Sequence, residues 1–413
     1  MKIAIKPKPI LVSIIYGVMA GSVAALVLWA MNKLTDIIWH HDYGDQPLFI
    51  FGTIMAGGVL IALLRHVMKG RDPDLAGQIK EATDENSPKA SDIALLAAIA
   101  IISVAFGGAI GPEAGILAVV AELSVIVSLA IRANKEQQQL IGEVGVAAAL
   151  GGLYASPPGG ALIPADDEVV KGASLADTSE EQSEALRPLL FLAGLMGFVG
   201  FLATASWILD GDGMRVALPA FDQTSVLATM LYSILPAILG GLAGLLFVSV
   251  MPILQKLLSR LGGIIPQTLV GTALFATLAA IWPIARFSGH HELLEMSHWA
   301  IESAPLAVLS LALLKITALS LCLSSGWKGG AIFPLLFAGA AAGAIALPLV
   351  PPELTTAVFI AAMSAAATIG MGKPMAAILI VALLIAPFAV GPLMVGALIG
   401  YGLSRFGPPP ALH

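Results

Sequence analysis

The chain has 413 residues, of which 58% are hydrophobic and only 12% are charged. This composition excludes a soluble globule and is typical of a polytopic protein of the lipid bilayer. Most of the charged residues lie in the connections between the apolar segments, so the formal net charge of −6 says little about function. No basic patch for a nucleic acid is evident. The single cysteine, Cys322, excludes an internal disulfide and a thiol-rich metal cluster.

The amino-terminal segment carries Lys2, Lys6 and Lys8 ahead of a long apolar run. That run continues to Ile38, which makes it longer than the hydrophobic region of a cleaved signal peptide. We therefore predict a first membrane helix here. The lysines predict that the amino terminus is cytoplasmic.

Apolar runs predict helices along the chain, and several are too short to cross a bilayer of ~30 Å, which needs ~20 helical residues. Broken, partial-depth helices are tolerated where they line a polar cavity, so they indicate a transport path. A polar stretch from Asp166 to Glu184 interrupts the pattern, and after Gly407 no soluble regulatory domain is expected. The predicted helices span residues 10–40, 48–68, 91–105, 113–131, 138–153, 187–208, 224–258, 264–284, 304–323, 332–348, 354–369 and 374–406.

A glycine-rich stretch from Gly107 to Gly115 places Glu113 between two apolar segments. Gly107, Gly111 and Gly115 recur every four residues and permit a tight turn, and Pro112 suits the first turn of the helix that follows. Glu113 then lies at a helix N-terminus, where free N–H groups and the helix dipole favour an anion. Either its own carboxylate or a diffusing anion can occupy this end, which is the arrangement of a gate.

An internal repeat links this stretch to the second part of the chain. Gly326 to Leu336 matches Gly107 to Leu117 in glycine position and in apolar continuation. Two homologous halves are therefore predicted, with a binding site where their glycine-interrupted segments meet near mid-membrane. The alternative is a likeness by composition alone, because small residues pack many membrane helices.

Two motifs resemble those of the CLC chloride channels and proton/chloride exchangers. The gating-glutamate motif of that family is matched by Gly111-x-Glu113-x-Gly115. Its Ser-Ser-Gly-x-x-Gly-Gly-x-Phe-x-Pro segment is matched by Ser324-Ser325-Gly326-x-x-Gly329-Gly330-x-Ile332-x-Pro334. The resemblance extends over residues 59–406 and is closest to the short bacterial branch of ion-channel proteins.

This resemblance implies an all-α polytopic fold of two inverted-topology repeats, residues 1–210 and 211–413, with broken helices. It also implies a bacterial inner-membrane protein, a homodimer with a separate pore in each subunit, and no metal or other cofactor. Glu113 would be the gate of a pathway for an inorganic anion, with chloride expected. The implied anion-binding residues are Gly111, Pro112, Glu113, Ala114, Gly330, Ala331 and Ile332.

Departures from the family affect the inner side of the pathway. The family's first ion-binding motif should fall near Arg71 and Asp72, where no serine hydroxyl is available. An aspartate there repels an anion unless Arg71 offsets it, which leaves open an ion other than chloride or a weaker site. The exchangers close the inner side with a tyrosine, for which Tyr401 is the only nearby candidate.

A carboxylate cluster, Asp166-Asp167-Glu168, follows an apolar stretch. The resemblance places Asp167 at the proton-transfer position of the exchangers, and a shielded carboxylate can shuttle protons. The alternative is a solvated acidic helix end that opens a cytoplasmic loop. A passive channel and a proton-coupled exchanger therefore both remain open. A membrane enzyme or non-conducting scaffold is the other class, but the helices carry no nucleophile–base or metal-ligand set, so an enzyme is not predicted.

Other polar residues receive simpler interpretations. His290-His291-Glu292 and the following Glu295-x-x-His298 are predicted to form a short polar loop at the membrane surface, because a di-iron site would need a second copy. Lys315 lies in an apolar helix, where it either attracts anions towards the path or pairs with a carboxylate inside the bundle, and the pairing is the preferred prediction. Tryptophans near helix ends are predicted to be interfacial anchors: Trp29, Trp39, Trp207 and Trp282.

Overall fold

The computed structural model describes residues 7–69, 90–165, 180–208, 216–219, 225–386 and 389–408. Its first half is helical in the described ranges. The helices are α1 (Pro7–Trp39), α2 (Pro47–Val67), α3 (Ala90–Ala105), α4 (Glu113–Ala130), α5 (Lys135–Leu153), α6 (Pro157–Ala165) and α7 (Glu180–Ile208).

The second half repeats this pattern after a short strand, β1 (Val216–Ala217). Its α-helices are α8 (Val226–Ser259), α9 (Ile264–Ile281), α10 (Leu293–Glu302), α11 (Pro305–Ser325), α12 (Ile332–Ala344), α13 (Thr355–Met371), α14 (Pro374–Leu384) and α15 (Val390–Ser404). Short 3-10 helices lie at Pro283–Ala285, Leu347–Leu349 and Pro352–Leu354, and strand β2 (Ile385–Ala386) follows α14.

Helix length and composition confirm the predicted multi-pass fold. In the described part of the chain, eight helices are long and apolar enough to cross a bilayer. Other apolar helices are too short to cross, as the predicted partial-depth helices require. These shorter segments are Ile93–Ala105, Ile332–Ala344, Pro374–Leu384 and Val390–Ser404.

The two halves repeat the same packing. Helix α1 packs against α5 and α7, as α8 packs against α13 and α15, and α3 packs on α4 as α11 packs on α12. Between the halves, contacts join equivalent elements, α2 with α9 and α6 with α14. Such pairing is expected of inverted repeats related by a pseudo-two-fold axis. The boundary predicted at residue 210 lies outside the described residues and stays a prediction.

Helix α4 runs antiparallel to α1. Met31 packs against Gly115 at the start of α4. Further along α4, the Tyr16 hydroxyl donates to the Val120 carbonyl at 3.1 Å and lies 2.5 Å from Ser124 Oγ. Helix α4 therefore runs back towards the face of the protein at which α1 begins, here called the amino-terminal face, and α5 begins there too. The face at which α1 ends and α2 begins is called the opposite face.

The prediction of one continuous helix over residues 374–406 is wrong. Helix α14 ends, and Ile385–Ala386 pairs in parallel with Val216–Ala217 before α15 begins. Ala386 precedes Pro387 in the sequence, and the proline ring disfavours the helical conformation of the residue before it. The extended pair then satisfies backbone groups that a continuing helix would have bonded internally.

Candidate functional site

The two glycine-rich stretches meet between the halves of the protein. Gly111 N–H donates to the Gly330 carbonyl at 2.8 Å, and Gly330 N–H donates to the Gly111 carbonyl at 3.1 Å. Directly after this bridge, α4 begins at Glu113 and α12 begins at Ile332. The N-termini of two helices from opposite halves therefore meet, as expected from the repeat. Their depth in the bilayer stays a prediction.

Neither helix end is capped by a side chain among the described residues. The N-cap positions are Pro112 and Ala331, which have no side-chain acceptor. Backbone N–H groups of both first turns are therefore left for a carboxylate or an anion. The two helix dipoles add partial positive charge at this point without the full charge of a lysine.

The Glu113 side chain folds back over the glycine bridge and is fully buried. Its Oε1 accepts a hydrogen bond from the Tyr154 hydroxyl at 3.2 Å, whereas Oε2 has no hydrogen-bond partner among the described residues. A Cβ atom placed on Gly111 or Gly330 would collide with the Glu113 carboxyl group. Glycine at both positions therefore makes the space that the carboxyl group occupies.

Tyr154 is a site residue that the sequence analysis missed. It is buried at the end of α5, and its ring centroid lies 5.7 Å from that of Phe333 in α12. The turn after it is made by Ala155 at a φ of 49°. A tyrosine between two apolar helices was a visible signal. The candidate from sequence, Tyr401, is instead 47% exposed on α15, and its hydroxyl accepts from Arg405 at 3.1 Å.

The structure brings the predicted anion-binding residues together at this one place. All of them are buried around the glycine bridge: Gly111, Pro112, Glu113, Ala114, Gly330, Ala331 and Ile332. Anion binding by them stays a prediction. Arg71, Asp72 and Asp167 lie outside the described residues, and the roles predicted for them stay predictions.

A cavity of about 380 Å³ leads to Pro112 from the opposite face. Lys33 and Asp36, near the end of α1, line it together with His290 and Glu292. The predicted short polar loop is present up to Glu292, but Glu295 and His298 lie in helix α10, so the loop prediction is wrong for them. His290 and Glu292 also border a cavity that reaches the glycine-rich stretch. Among the described residues, no group of three side chains is arranged to hold a metal ion.

His290 is half-buried in the wall of this cavity. Its Nδ1 lies 2.7 Å from Ser288 Oγ, its ring centroid lies 4.9 Å from that of Phe333, and its Nε2 is shielded without a hydrogen-bond partner in the described residues. Burial lowers the pKa of His290 well below its ordinary value, and the charges of His291 and Lys315 add to this. The imidazole is therefore neutral at pH 7 and contributes no positive charge to the approach.

Lys315 does not pair with a carboxylate as predicted. Its Nζ donates to the carbonyls of Ile284 at 3.2 Å, Arg286 at 2.9 Å and Phe287 at 2.8 Å. The physical reason is that irregular backbone between α9 and α10 presents buried carbonyls, and an ammonium group has three donors. The hydrogen bonds of Lys315 therefore hold in place the segment around Phe287, which lines the cavity.

The four tryptophans predicted to be interfacial anchors lie in three different settings. Trp39 is half-buried at the end of α1, where its Nε1 donates to the Ala105 carbonyl at 2.9 Å and the Arg286 guanidinium lies 4.7 Å from its ring centroid. An interfacial role for Trp39 stays a prediction. Trp29 lines the cavity and is 39% exposed, whereas Trp207 and Trp282 are mostly exposed, which suits the membrane surface.

A helical membrane protein with inverted halves, short broken helices and uncapped helix ends converging on one buried glutamate belongs to the class of ion-transport proteins. The sequence pattern of the family described as "Voltage gated chloride channel" matches residues 57–405. The chain belongs to this family of anion channels and exchangers. Its members and structural neighbours are channels and transporters rather than enzymes.

Related sequences agree with this assignment. The chain is 24% identical over 355 residues to "Putative ion-transport protein YfeO" of Escherichia coli (strain SE11), covering 82% of this chain and 79% of the relative. The protein of the same name from Shigella flexneri matches with the same identity and coverage. With these bacterial relatives and its apolar helices, the chain is a multi-pass protein of the bacterial inner membrane.

Solved structures confirm the fold. A slow cyanobacterial Cl−/H+ antiporter superposes with a TM-score of 0.77 at 19% identity, covering 98% of this chain and 96% of that one. A CLC-type fluoride/proton antiporter superposes with a TM-score of 0.72 at 17% identity, covering 98% and 97%. At these identities the likeness establishes the architecture alone.

Proposed function

We propose that the protein moves a small inorganic anion, with chloride the expected ion, across the membrane, and that Glu113 is its gate. The observation that carries this proposal is the buried Glu113 carboxyl group lying on the Gly111–Gly330 bridge between two uncapped helix ends. An ionised carboxylate there competes with a diffusing anion for the same N–H groups and dipoles. Protonation removes the competing charge, so the side chain can leave and an anion can enter.

The route to this gate is proposed to run through the cavity on the opposite face. Pro112 and Ile110 belong to its lining, so an anion in the cavity can contact Pro112, the residue that precedes Glu113 in the chain. Lys33 supplies a positive side chain along the way, while Asp36 and Glu292 limit the net attraction. Such a mixed lining admits an anion without trapping it, as rapid transport requires.

Proton-coupled exchange is the second candidate. The two similar solved structures are described as chloride/proton and fluoride/proton antiporters. In this chain, the hydrogen bond between Tyr154 and Glu113 joins a titratable gate to a hydroxyl, which favours proton transfer at the gate. Asp167 is retained as a proposed inner relay, and a homodimer with one pathway per subunit as the proposed assembly.

The test is anion flux from liposomes with purified protein, with and without a pH gradient. A single titrating gate predicts that wild-type flux changes by up to about tenfold per pH unit where Glu113 ionises. Glu113→Gln and Glu113→Ala should raise or deregulate flux and remove its pH dependence, because the competing charge is gone. Glu113→Ala should also admit an anion at the glycine bridge, visible as bound bromide in a crystal.

Glu122→Gln is the matched control, because it makes the same change on the same helix away from the bridge. It should keep the wild-type pH profile. If purified Glu113→Ala gave the flux, pH response and anion occupancy of wild type, the gate assignment would be wrong and Glu113 would be a structural carboxylate. Competition between chloride, bromide and fluoride in the same assay identifies the ion.

A further inference from the structure

Lys315 is a charged side chain buried within the apolar helix α11. The residue is 1% exposed, and its Nζ donates to the three carbonyls of Ile284, Arg286 and Phe287. A neutral amine has too few N–H groups for three acceptors, whereas the ammonium form has one for each. The contacts therefore require the charged form of Lys315, and its charge is balanced by carbonyl dipoles rather than by a carboxylate.

The three carbonyls belong to the irregular segment between α9 and α10. Buried carbonyls outside regular helices must find donors elsewhere, and here a single side chain supplies them. The stem of Lys315 also lies close to the backbone of Gly289, where an added Cβ would come within 3.0 Å of Lys315 Cε. The position of this segment against α11 therefore depends on Lys315.

Phe287 joins the same segment to the start of the glycine-rich stretch. Its N–H donates to the Gly107 carbonyl at 3.2 Å, while its own carbonyl accepts from Lys315 at 2.8 Å. Phe287 has a φ of 57°, a left-handed conformation that residues other than glycine rarely adopt. Hydrogen bonds on both sides of the residue hold it in this conformation. A continuous set of hydrogen bonds thus runs from Lys315 through Phe287 to Gly107.

Trp39 packs against Gly107 from another direction. Its Nε1 donates to the Ala105 carbonyl at 2.9 Å, and a Cβ added to Gly107 would lie 2.8 Å from its ring. The Arg286 guanidinium lies over the same ring and donates to Asp45 at 2.6 Å. The side chains of Lys315, Phe287, Arg286 and Trp39, here called the clasp, therefore hold Gly107 between the two halves of the protein.

A short stretch of chain connects the clasp to the proposed gate. Only three residues separate Gly107 from Gly111, so the two lie at most roughly 14 Å apart even if this stretch were fully extended. The clasp holds one end, and the backbone bridge to Gly330 holds the other. A displacement of Gly107 should therefore reach Gly111 and the start of α4 at Glu113.

We infer that Lys315 is a positioning residue of the gate, which acts through Phe287 and Gly107 on the helix end that carries Glu113. This inference rests on the proposed function. Lys315 itself neither binds the anion nor moves a proton. It keeps the N–H groups at the start of α4 aligned with the Glu113 carboxylate, an alignment on which the ionised form depends.

Hydrogen exchange in the purified protein tests the clasp without reference to transport. In wild type, the Phe287 amide should exchange as slowly as the amides of α11, although its segment is irregular. In Lys315→Met, peptides covering residues 284–290 should exchange at least about tenfold faster, because the carbonyls lose their charged donor. Lys256→Met makes the same change at an exposed position of α8 and should leave this exchange unaltered. Rapid exchange in wild type, or unaltered exchange in Lys315→Met, overturns the proposal.

Chloride flux from liposomes over a series of pH values tests the link to the gate. Lys315→Met should move the half-maximal pH upwards by about half a unit, because misaligned N–H groups stabilise the carboxylate less. The variant leaves in place Tyr154, which bonds to Glu113, and His290 and Glu292, whose charges act on Lys315. Lys256→Met should keep the wild-type midpoint.

Trp39→Phe is a milder variant, because it keeps an aromatic ring and removes only the hydrogen bond to Ala105. It should move the midpoint in the same direction as Lys315→Met. The double variant should shift the midpoint by less than the sum of the two, since both substitutions act on Gly107. If Lys315→Met does not fold, an unchanged midpoint in Trp39→Phe is enough to overturn the proposal.

The remaining outcomes separate positioning from other roles. An unchanged or lowered midpoint in folded Lys315→Met shows that its role is structural and overturns the proposal. A change in the chloride concentration for half-maximal flux alone shows that Lys315 attracts anions by its charge, and this also overturns positioning while the gate stands. If Glu113→Gln keeps the wild-type pH profile, the gate itself is wrong and the positioning role falls with it.

Discussion

At the scale of single residues, the Tyr154 hydroxyl donates a hydrogen bond to Glu113, the proposed gate. Both side chains are fully buried, so the hydroxyl is one of the few donors that can reach Oε1. A donor favours the ionised carboxylate, which is the form that competes with an anion. The pH at which the gate opens should therefore depend on this hydroxyl.

We expect Tyr154→Phe to raise anion flux at a given pH. Loss of a hydrogen bond to a charged group, worth about 1.5 kcal/mol, should move the half-maximal pH of flux upwards by about one unit. The measurement is flux in liposomes over a series of pH values. Tyr16→Phe is the control, because it also removes a buried tyrosine hydroxyl but one bonded to Val120 and Ser124. Equal midpoints in the two variants would contradict the role of Tyr154.

At the scale of secondary-structure elements, the site is made by two helices that begin at the same place. Gly111 and Gly330 join α4 and α12 through two backbone hydrogen bonds, and both glycines leave room for the Glu113 carboxyl group. The nearest atoms to an added Cβ at Gly330 all belong to Glu113. The stability cost of a side chain there should therefore depend on whether Glu113 is present.

We expect Gly330→Ala to lower the stability of the protein by about 1–3 kcal/mol, the usual cost of overpacking. The added methyl group should displace the carboxyl group and deregulate flux. In the double variant with Glu113→Ala, most of the lost thermal stability should return, because the collision partner is gone. Gly402→Ala is the control, since no atom lies within 4 Å of the added Cβ. If the stability losses of the two single variants simply added in the double variant, the methyl group at position 330 would be colliding with a residue other than Glu113.

At the scale of the whole molecule, the inverted halves fix which face each connection reaches. The connection between α1 and α2 lies on the opposite face, and that between α4 and α5 lies on the amino-terminal face. The lysines at the amino terminus predict that the latter is cytoplasmic. The cavity that leads to Pro112 would then open to the periplasm.

This orientation can be checked by cysteine labelling. Cys322 is buried, so wild type should itself react little with a maleimide. A Cys322→Ser background, into which the test cysteines are introduced, should behave in the same way. In spheroplasts, Asp42→Cys should react with a membrane-impermeant maleimide, whereas Arg132→Cys should react only after lysis. Both residues are exposed in the structure, so access to solvent is matched. Labelling of both from the same side would contradict the antiparallel course of α1 and α4.

The sequence by itself determined the class of protein, the family resemblance, most helices and the choice of Glu113 as the proposed gate. Those features depend on local signals: apolar runs, the glycines around Glu113, and Pro112 at a helix start. The same glycine spacing in both halves was enough to predict that their helix ends meet.

Only the tertiary structure decided which side chains from distant parts of the chain contact these segments. Tyr154 reaches Glu113 from 41 residues away, and Lys315 bonds carbonyls about 30 residues before it, so neither contact is encoded by local spacing. The break after α14 has a local signal in Pro387, but the parallel pairing of Ile385–Ala386 with Val216–Ala217 joins segments that are far apart in the sequence. Long-range packing selects these partners because a buried polar group must be satisfied by whatever the fold brings within reach.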